Sequence, residues 1–144
     1  MIILDTIVVS EPMRPQPDSA VMEWLNRQAS QTIFISAVTV SELLLGVELL
    51  VAGRRKTKLS HDVAEIVASD FADRILDFDT RAAEEYAIRM AKVRRDGVAV
   101  ERADGQIGAI AASHGFAVAT RDVEPFSALG VPVIDPWSAA GTQG

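Results

Sequence analysis

Apolar positions along the chain follow two alternating rhythms. Short unbroken apolar runs recur at Ile2 to Leu4, Thr32 to Ser36 (TIFIS), Ile75 to Phe78, Phe116 to Thr120 (FAVAT) and Val131 to Ile134 (VPVI). Runs without polar alternation suit strands covered on both faces. Between them, apolar residues recur at helical spacing. Val21, Trp24, Leu25 and Ala29 follow the Pro-rich turn PMRPQP. Val40, Leu43, Leu44, Val47 and Leu50 mark a second helix, broken by Gly53 and the basic RRKTK. Leu59, Val63, Ile66 and Val67 mark a third, opened near Ser60. Ala83, Tyr86, Ala87 and Met90 mark a fourth, with Asp79 and Thr80 as cap candidates. Asp104, Ile107, Gly108 and Ala111 mark a fifth, closed near Gly115.

Strands separated by helices predict an α/β fold with right-handed crossovers and a parallel sheet. The second and third helices form a hairpin. Pro132 removes a ladder donor, which puts the last strand on an edge. The stripe Leu43, Leu44, Val47 and Leu50 is expected in the core, as are Tyr86, Met90 and Val93, for which an apolar patch for self-association is the alternative.

The chain has 144 residues, about one average domain. We expect a single domain over 1–137 and a flexible tail over 138–144 (SAAGTQG). Hydrophobic residues make up 49% and charged residues 24%, which excludes a disordered chain. No apolar run of ~18 residues exists, so no membrane span is expected. The opening MIILDTIVV has no basic region of the kind that starts a signal peptide. The absence of cysteine excludes disulfides, thiolate metal sites and Cys nucleophiles, and fits a reducing, cytoplasmic location. The net charge is −6, which disfavours nucleic-acid binding unless the acids are gathered for a purpose.

Their placement points to a purpose. In a parallel sheet the C-terminal strand ends form one rim, where ligands bind. Asp5 ends the first strand, Glu42 lies near the start of the helix after the second strand, Asp104 lies near the start of the helix before FAVAT, and Asp122 follows FAVAT. All four are expected on that rim. Converging carboxylates without paired lysines repel one another, and some of their pKa values rise. A divalent cation removes the conflict, and hard oxygen ligands select Mg²⁺ or Mn²⁺. Such an ion polarises a phosphoryl oxygen and acidifies a bound water, which suggests phosphodiester hydrolysis. Taken singly, each acid also has a structural reading as a turn, cap or surface residue. Gly105 and Gly108 sit inside the fifth helix, where each costs ~1 kcal/mol relative to Ala. Close packing of helix on sheet near the site explains them; a short or frayed helix is the alternative.

Other constellations are weaker. Arg54, Arg55, Lys56 and Lys58, and Arg89, Lys92, Arg94 and Arg95, are candidate phosphate-binding runs, although solvated helix ends explain either run alone. Arg121, beside Asp122, meets an RNA phosphate or pairs with a neighbouring carboxylate. Glu101 lies one turn before Asp104 and shares its face, but a first-turn acid is the simpler explanation. His61 and His114 are far apart, so a zinc site or a His base is disfavoured. No serine triad, G-x-G-x-x-G or Walker sequence is present.

The opening MIILDTIVVSEPMRPQP, the segments ISAVTVSELLLGVELL and ADGQIGAIAASHGFAVATRD, and the ending VIDPW together resemble PIN-domain ribonuclease toxins, in the VapC/FitB-like branch of toxin–antitoxin systems. The resemblance covers the chain to about Trp137. It implies a three-layer α/β/α sandwich with a five-stranded parallel sheet of order 3-2-1-4-5. Asp5, Glu42, Asp104 and Asp122 match the family's acidic metal-binding cluster. Thr120 matches a hydroxyl placed to orient a metal-bound water, and Thr6 the Thr of the opening motif. Ile7 departs from the family, which normally has Asn there; an Asn supports the site by hydrogen bonds and Ile offers none. Reduced activity, substitution by a neighbouring polar group or water, and a degenerate site are the three readings, and reduced activity is our expectation. The resemblance further implies a Mg²⁺- or Mn²⁺-dependent endoribonuclease, a homodimer, and an antitoxin that fills the active-site groove with an apolar helix and a basic side chain. DNA contact belongs to that antitoxin. The alternatives are a catalytically impaired antitoxin- or RNA-binding module and, less favoured, a phosphatase or phosphorelay receiver, whose paired first-strand acids and late Lys are missing.

Overall fold

The computed structural model describes residues 1–138. Five strands, β1 (Ile2–Leu4), β2 (Ile33–Ser36), β3 (Ile75–Leu76), β4 (Ala117–Ala119) and β5 (Val133–Ile134), pair in parallel in the order β3-β2-β1-β4-β5. That is the expected order, with β5 on the edge next to Pro132. Alternate residues of each strand feed opposite faces. Leu4, Ile35, Ala119 and Ile134 join one core, while Ile3, Val118 and Val133 join the other.

Each face is covered by one half of the chain. The first core takes Val8 and Val9 of α1 (Thr6–Ser10), Trp24 of α2 (Ser19–Arg27), Leu43 and Val47 of α3 (Ala37–Glu48) and Val63 of α4 (Arg54–Glu65). The second takes Met90 and Val93 of α5 (Thr80–Arg95), Ile107 and Ile110 of α6 (Arg102–His114) and Phe126 of α7 (Val123–Ala128). Three layers result. Among the described residues, no helix is long and apolar enough to cross a membrane.

Several boundaries differ from expectation, each for a local reason. The short helices α1 and α7 are too brief to show periodicity and were not anticipated. The basic RRKTK does not break a helix; Gly53, at φ 155, stands at the N-cap of α4 and RRKTK forms its start. The helix therefore begins before Ser60, and its continuation Ile66–Asp70 is wound as a wider π turn. Leu44 is half exposed, so the α3 stripe is only partly core. In α5 the buried stripe is Ala82, Met90 and Val93; Ala83 and Ala87 face solvent. Asp79 caps this helix as expected, accepting from Ala82 N at 2.9 Å, and Gly115 closes α6 at φ 71. Ser138, the first residue of the expected tail, donates its backbone N–H to Asp135 O; 139–144 lie outside the described residues.

Two charged residues, Glu11 and Arg74, are buried in structural roles that periodicity did not signal. Glu11 accepts from Asp18 N at 2.8 Å and from Arg14 Nη1 at 3.2 Å, closing the Pro-rich turn. Arg74 donates to Ile33 O at 2.7 Å and to Asp70 O, tying β2 to the end of the α4 arm.

The two glycines of α6 serve helix-on-helix packing rather than helix-on-sheet packing. A Cβ on Gly105 would lie 2.6 Å from Met90 Sδ and 3.0 Å from Tyr86 of α5, and one on Gly108 2.7 Å from Leu129 Cδ1. Gly105→Ala gains ~1 kcal/mol of helix propensity but overpacks the α5–α6 contact by about 1–3 kcal/mol. We expect the midpoint of thermal unfolding to fall by a few degrees; a rise would show that α5 yields freely.

Candidate functional site

The strand register brings the rim residues together. Leu4 pairs with Ala119 across β1 and β4, so the next residues, Asp5 and Thr120, are neighbours where both strands end. Asp5 is buried, with its backbone N–H bonded to Ala119 O at 2.9 Å. Its Oδ1 accepts from Thr6 N at 2.8 Å and its Oδ2 from Thr120 Oγ1 at 2.8 Å. Thr120 is fully buried, and its Oγ1 also accepts from Asp122 N at 2.9 Å. One hydroxyl thus clamps two acids. Its proton is committed to Asp5, so it could orient a water only through its remaining lone pair.

A second relay fixes Glu42. Thr6 Oγ1 lies 2.6 Å from Glu42 Oε1 and 3.0 Å from Thr39 Oγ1. A carboxylate only accepts, so the Thr6 proton goes to Glu42 and Thr39 donates to Thr6. Thr39 is itself fully buried and bonded through its N–H to Ser36 Oγ at 3.0 Å, the cap of α3. Sequence reasoning missed Thr39 and Ser36. Their only signal was a Ser-x-x-Thr spacing at a strand-to-helix junction, a capping pattern that also occurs without any site.

Asp104 lies in the first turn of α6, half buried. Its pKa is raised to about 7, chiefly by burial and then by the charges of Asp5, Asp122, Glu101 and Glu42 in that order. Burial also pushes Asp5 above the ordinary aspartate range, against the lowering bonds from Thr120 and Thr6, with Glu42 and Asp122 pushing upward. The four acids therefore lie within electrostatic reach of one another. Glu101, which precedes α6 and makes no capping bond, belongs to the same field. Among the described residues, no three His, Cys, Asp or Glu side chains are gathered closely enough to hold a metal ion as they stand. The donor set is nevertheless all hard oxygen, and among the described residues no lysine or arginine is ion-paired to any of these acids. Such a set fits a hard divalent cation.

The acids stand between two clefts. One, about 800 Å³, runs from Thr6 and Glu42 along Leu43, Val47, Leu59 and Arg55. The other, about 450 Å³, joins Asp104, Asp122 and Glu101 to Arg94. Of the remaining expected residues, Arg54 is exposed and lines neither cleft. Among the described residues, Arg121 pairs with no carboxylate; its guanidinium stacks 5.2 Å from the centre of the Trp137 ring. Ile7 is 39% exposed in α1, beside the rim.

Raised carboxyl pKa values have a definite consequence for stability. The folded chain holds protons that the unfolded chain has released, so folding weakens as pH rises from the ordinary aspartate value of 3.8 toward about 7. The melting temperature of metal-free protein should fall over that interval and level off above it. Asp104→Asn should flatten the slope and melt higher than the parent at neutral pH. An unchanged slope in calorimetry would remove Asp104 as its origin.

Comparison with known proteins places this architecture. The PIN-domain family model matches residues 2–131. The VapC ribonuclease Y4jK of Sinorhizobium fredii is 43% identical over 140 residues, which is 97% of this chain and 100% of that protein. Toxin FitB of Neisseria gonorrhoeae is 43% identical over 137 residues, 95% of this chain and 99% of that protein. The crystal structure of FitAcB from Neisseria gonorrhoeae superimposes with a TM-score of 0.90 at 43% identity, covering 95% of this chain and 99% of that one. Sequence and architecture agree: the chain belongs to the PIN-domain family, alongside the VapC and FitB proteins.

Proposed function

We propose that this chain is the toxin of a toxin–antitoxin pair and a Mg²⁺- or Mn²⁺-dependent endoribonuclease. The observation that carries the proposal is the buried Asp5 surrounded by Glu42, Asp104 and Asp122 without a countering cation. The names of the relatives VapC ribonuclease and toxin FitB support it. Asp5, Glu42, Asp104 and Asp122 would hold the metal. When bound, a hard divalent cation supplies positive charge for a phosphoryl oxygen and acidifies water. The chain's own contribution is positioning. Thr120 fixes Asp5 relative to Asp122, and Thr6 aims Glu42. Asp104, half protonated near neutrality, gives up its proton when a cation binds. Arg55 lines a cleft reaching Glu42 and is the best placed of the expected RNA-binding residues, with Arg54 and Arg121 outside it.

The same cleft supports the antitoxin as a partner. Its wall of Leu43, Val47, Leu50 and Leu59 suits an apolar helix, and Glu42 at its end suits a basic side chain. Contact with DNA then falls to the antitoxin. The exposed Leu44, Leu45, Leu49 and Val51 support a second copy of this chain as a further partner. A second reading, a catalytically impaired domain acting through antitoxin or RNA binding, is favoured by Ile7 alone.

Purified protein freed of any inhibitor is expected to cleave single-stranded RNA in Mn²⁺ and not in EDTA. Asp5→Asn should lower the rate by more than about a hundredfold, beyond the usual effect of an outer-shell change. Ile7→Asn should raise metal affinity or rate by about tenfold. No cleavage by either parent or Ile7→Asn protein would sink the ribonuclease reading, whereas cleavage only by Ile7→Asn would establish the impaired one. In calorimetry near pH 7, Mg²⁺ binding should release protons, and Asp104→Asn should reduce that release. Proton release unchanged in the variant would mean that Asp104 keeps no proton to lose.

A further inference from the structure

The cations around the rim are not equally committed. Arg14 pairs with Glu11, Lys58 with Asp62, Arg89 with Glu85 and Lys92 with Asp96. Among the described residues, Arg55 and Arg94 make no ion pair or side-chain hydrogen bond, and each lines one of the two clefts beside the acids. Arg94 lies in the last turn of α5, where any cation suits the helix dipole. Arg95 satisfies the dipole on the same turn, yet only Arg94 lines the cleft of Asp104 and Asp122.

The sheet order gives the two clefts opposite sides. Glu42 follows β2 and Asp122 follows β4, with Asp5, which follows β1, between them. One free arginine therefore stands beyond Glu42 and the other beyond Asp122. The Arg94 cleft also has apolar walls, Val98, Val100 and Pro125, against which a base can lie. A polyanion approaching a carboxylate cluster needs cations on its flanks.

Resting on the ribonuclease reading, we propose that the RNA strand crosses the rim from one cleft to the other. The Arg94 guanidinium holds a phosphate on the Asp122 side of the scissile one, and Arg55 a phosphate on the Glu42 side. Arg94 is thus a substrate-binding residue, and its cleft a subsite for the nucleotide next to the cut.

The test is binding rather than turnover. A fluorescent single-stranded RNA of mixed sequence is titrated in Ca²⁺ at several salt concentrations, under conditions where cleavage is checked to be absent. Each phosphate contact contributes about 0.7 to the slope of log affinity against log salt for single strands. Arg94→Ala and Arg55→Ala should each reduce the slope by about that amount, and Arg94→Lys should restore it. Arg27→Ala, which removes an exposed cation at the end of α2 leading into β2 and so at the opposite rim, should leave it unchanged. Shortening the RNA from one end should cancel the effect of Arg94→Ala alone, and from the other end that of Arg55→Ala alone. An unchanged slope for Arg94→Ala, an equal loss in Arg27→Ala, or sensitivity of both variants to the same RNA end would overturn the proposal. If parent protein binds and cleaves RNA in Mn²⁺, such a result removes the proposed path only. If parent protein does neither, the ribonuclease reading fails and the path fails with it.

Discussion

A carboxylate buried at the meeting point of β1 and β4 sets the terms for everything around it. Asp5 pays for burial with two hydrogen bonds, one from its neighbour's backbone and one from Thr120. Charged like its neighbours and short of water, it remains costly to ionise. The chain tolerates this cost because strand pairing leaves Asp5 no other place to go. Glu42, Asp104 and Asp122 then add like charge to a position that already resists it. The rim is a strained electrostatic arrangement held by a well-packed sheet, as functional sites commonly are.

Much of this was legible in sequence, for reasons that differ between elements. Strands buried on both faces advertise themselves as apolar runs, and every one of the five was located. Long helices such as α3 and α6 showed their period. The convergence of four widely separated acids followed from one rule about parallel sheets, namely that all the strands end on the same side. The short helices α1 and α7 were invisible because five or six residues carry no period. RRKTK was misjudged because basic, exposed residues form the first turns of α4 as readily as a loop. The buried Glu11 and Arg74 gave no sign, since their partners are backbone groups brought close only by the fold.

The hydroxyls around the acids were the hardest part to foresee. Thr120 was expected to orient a water; its hydroxyl donates to Asp5 and accepts from Asp122 N, which leaves one lone pair for any further partner. Thr39 and Ser36 extend the same economy one shell outward, toward Glu42. Ile7 stands beside this network without joining it. The rim thus gathers four acids and the hydroxyls that hold them, with one apolar residue beside them.

The division of the helices between the two faces has a consequence for synthesis. The helices that cover one face of β1 and β2 all come from the first half of the chain, although that core is completed by Ala119, Ile134 and Trp137 from its end. β1 also needs β4 on its other side, and that partner emerges last but one. Domains tend to order from the N-terminus during translation, and pairings distant in sequence form late. The clamp between Asp5 and Thr120 therefore cannot close until nearly the whole chain has been made, so a truncated or stalled product carries the first acids without the second pair.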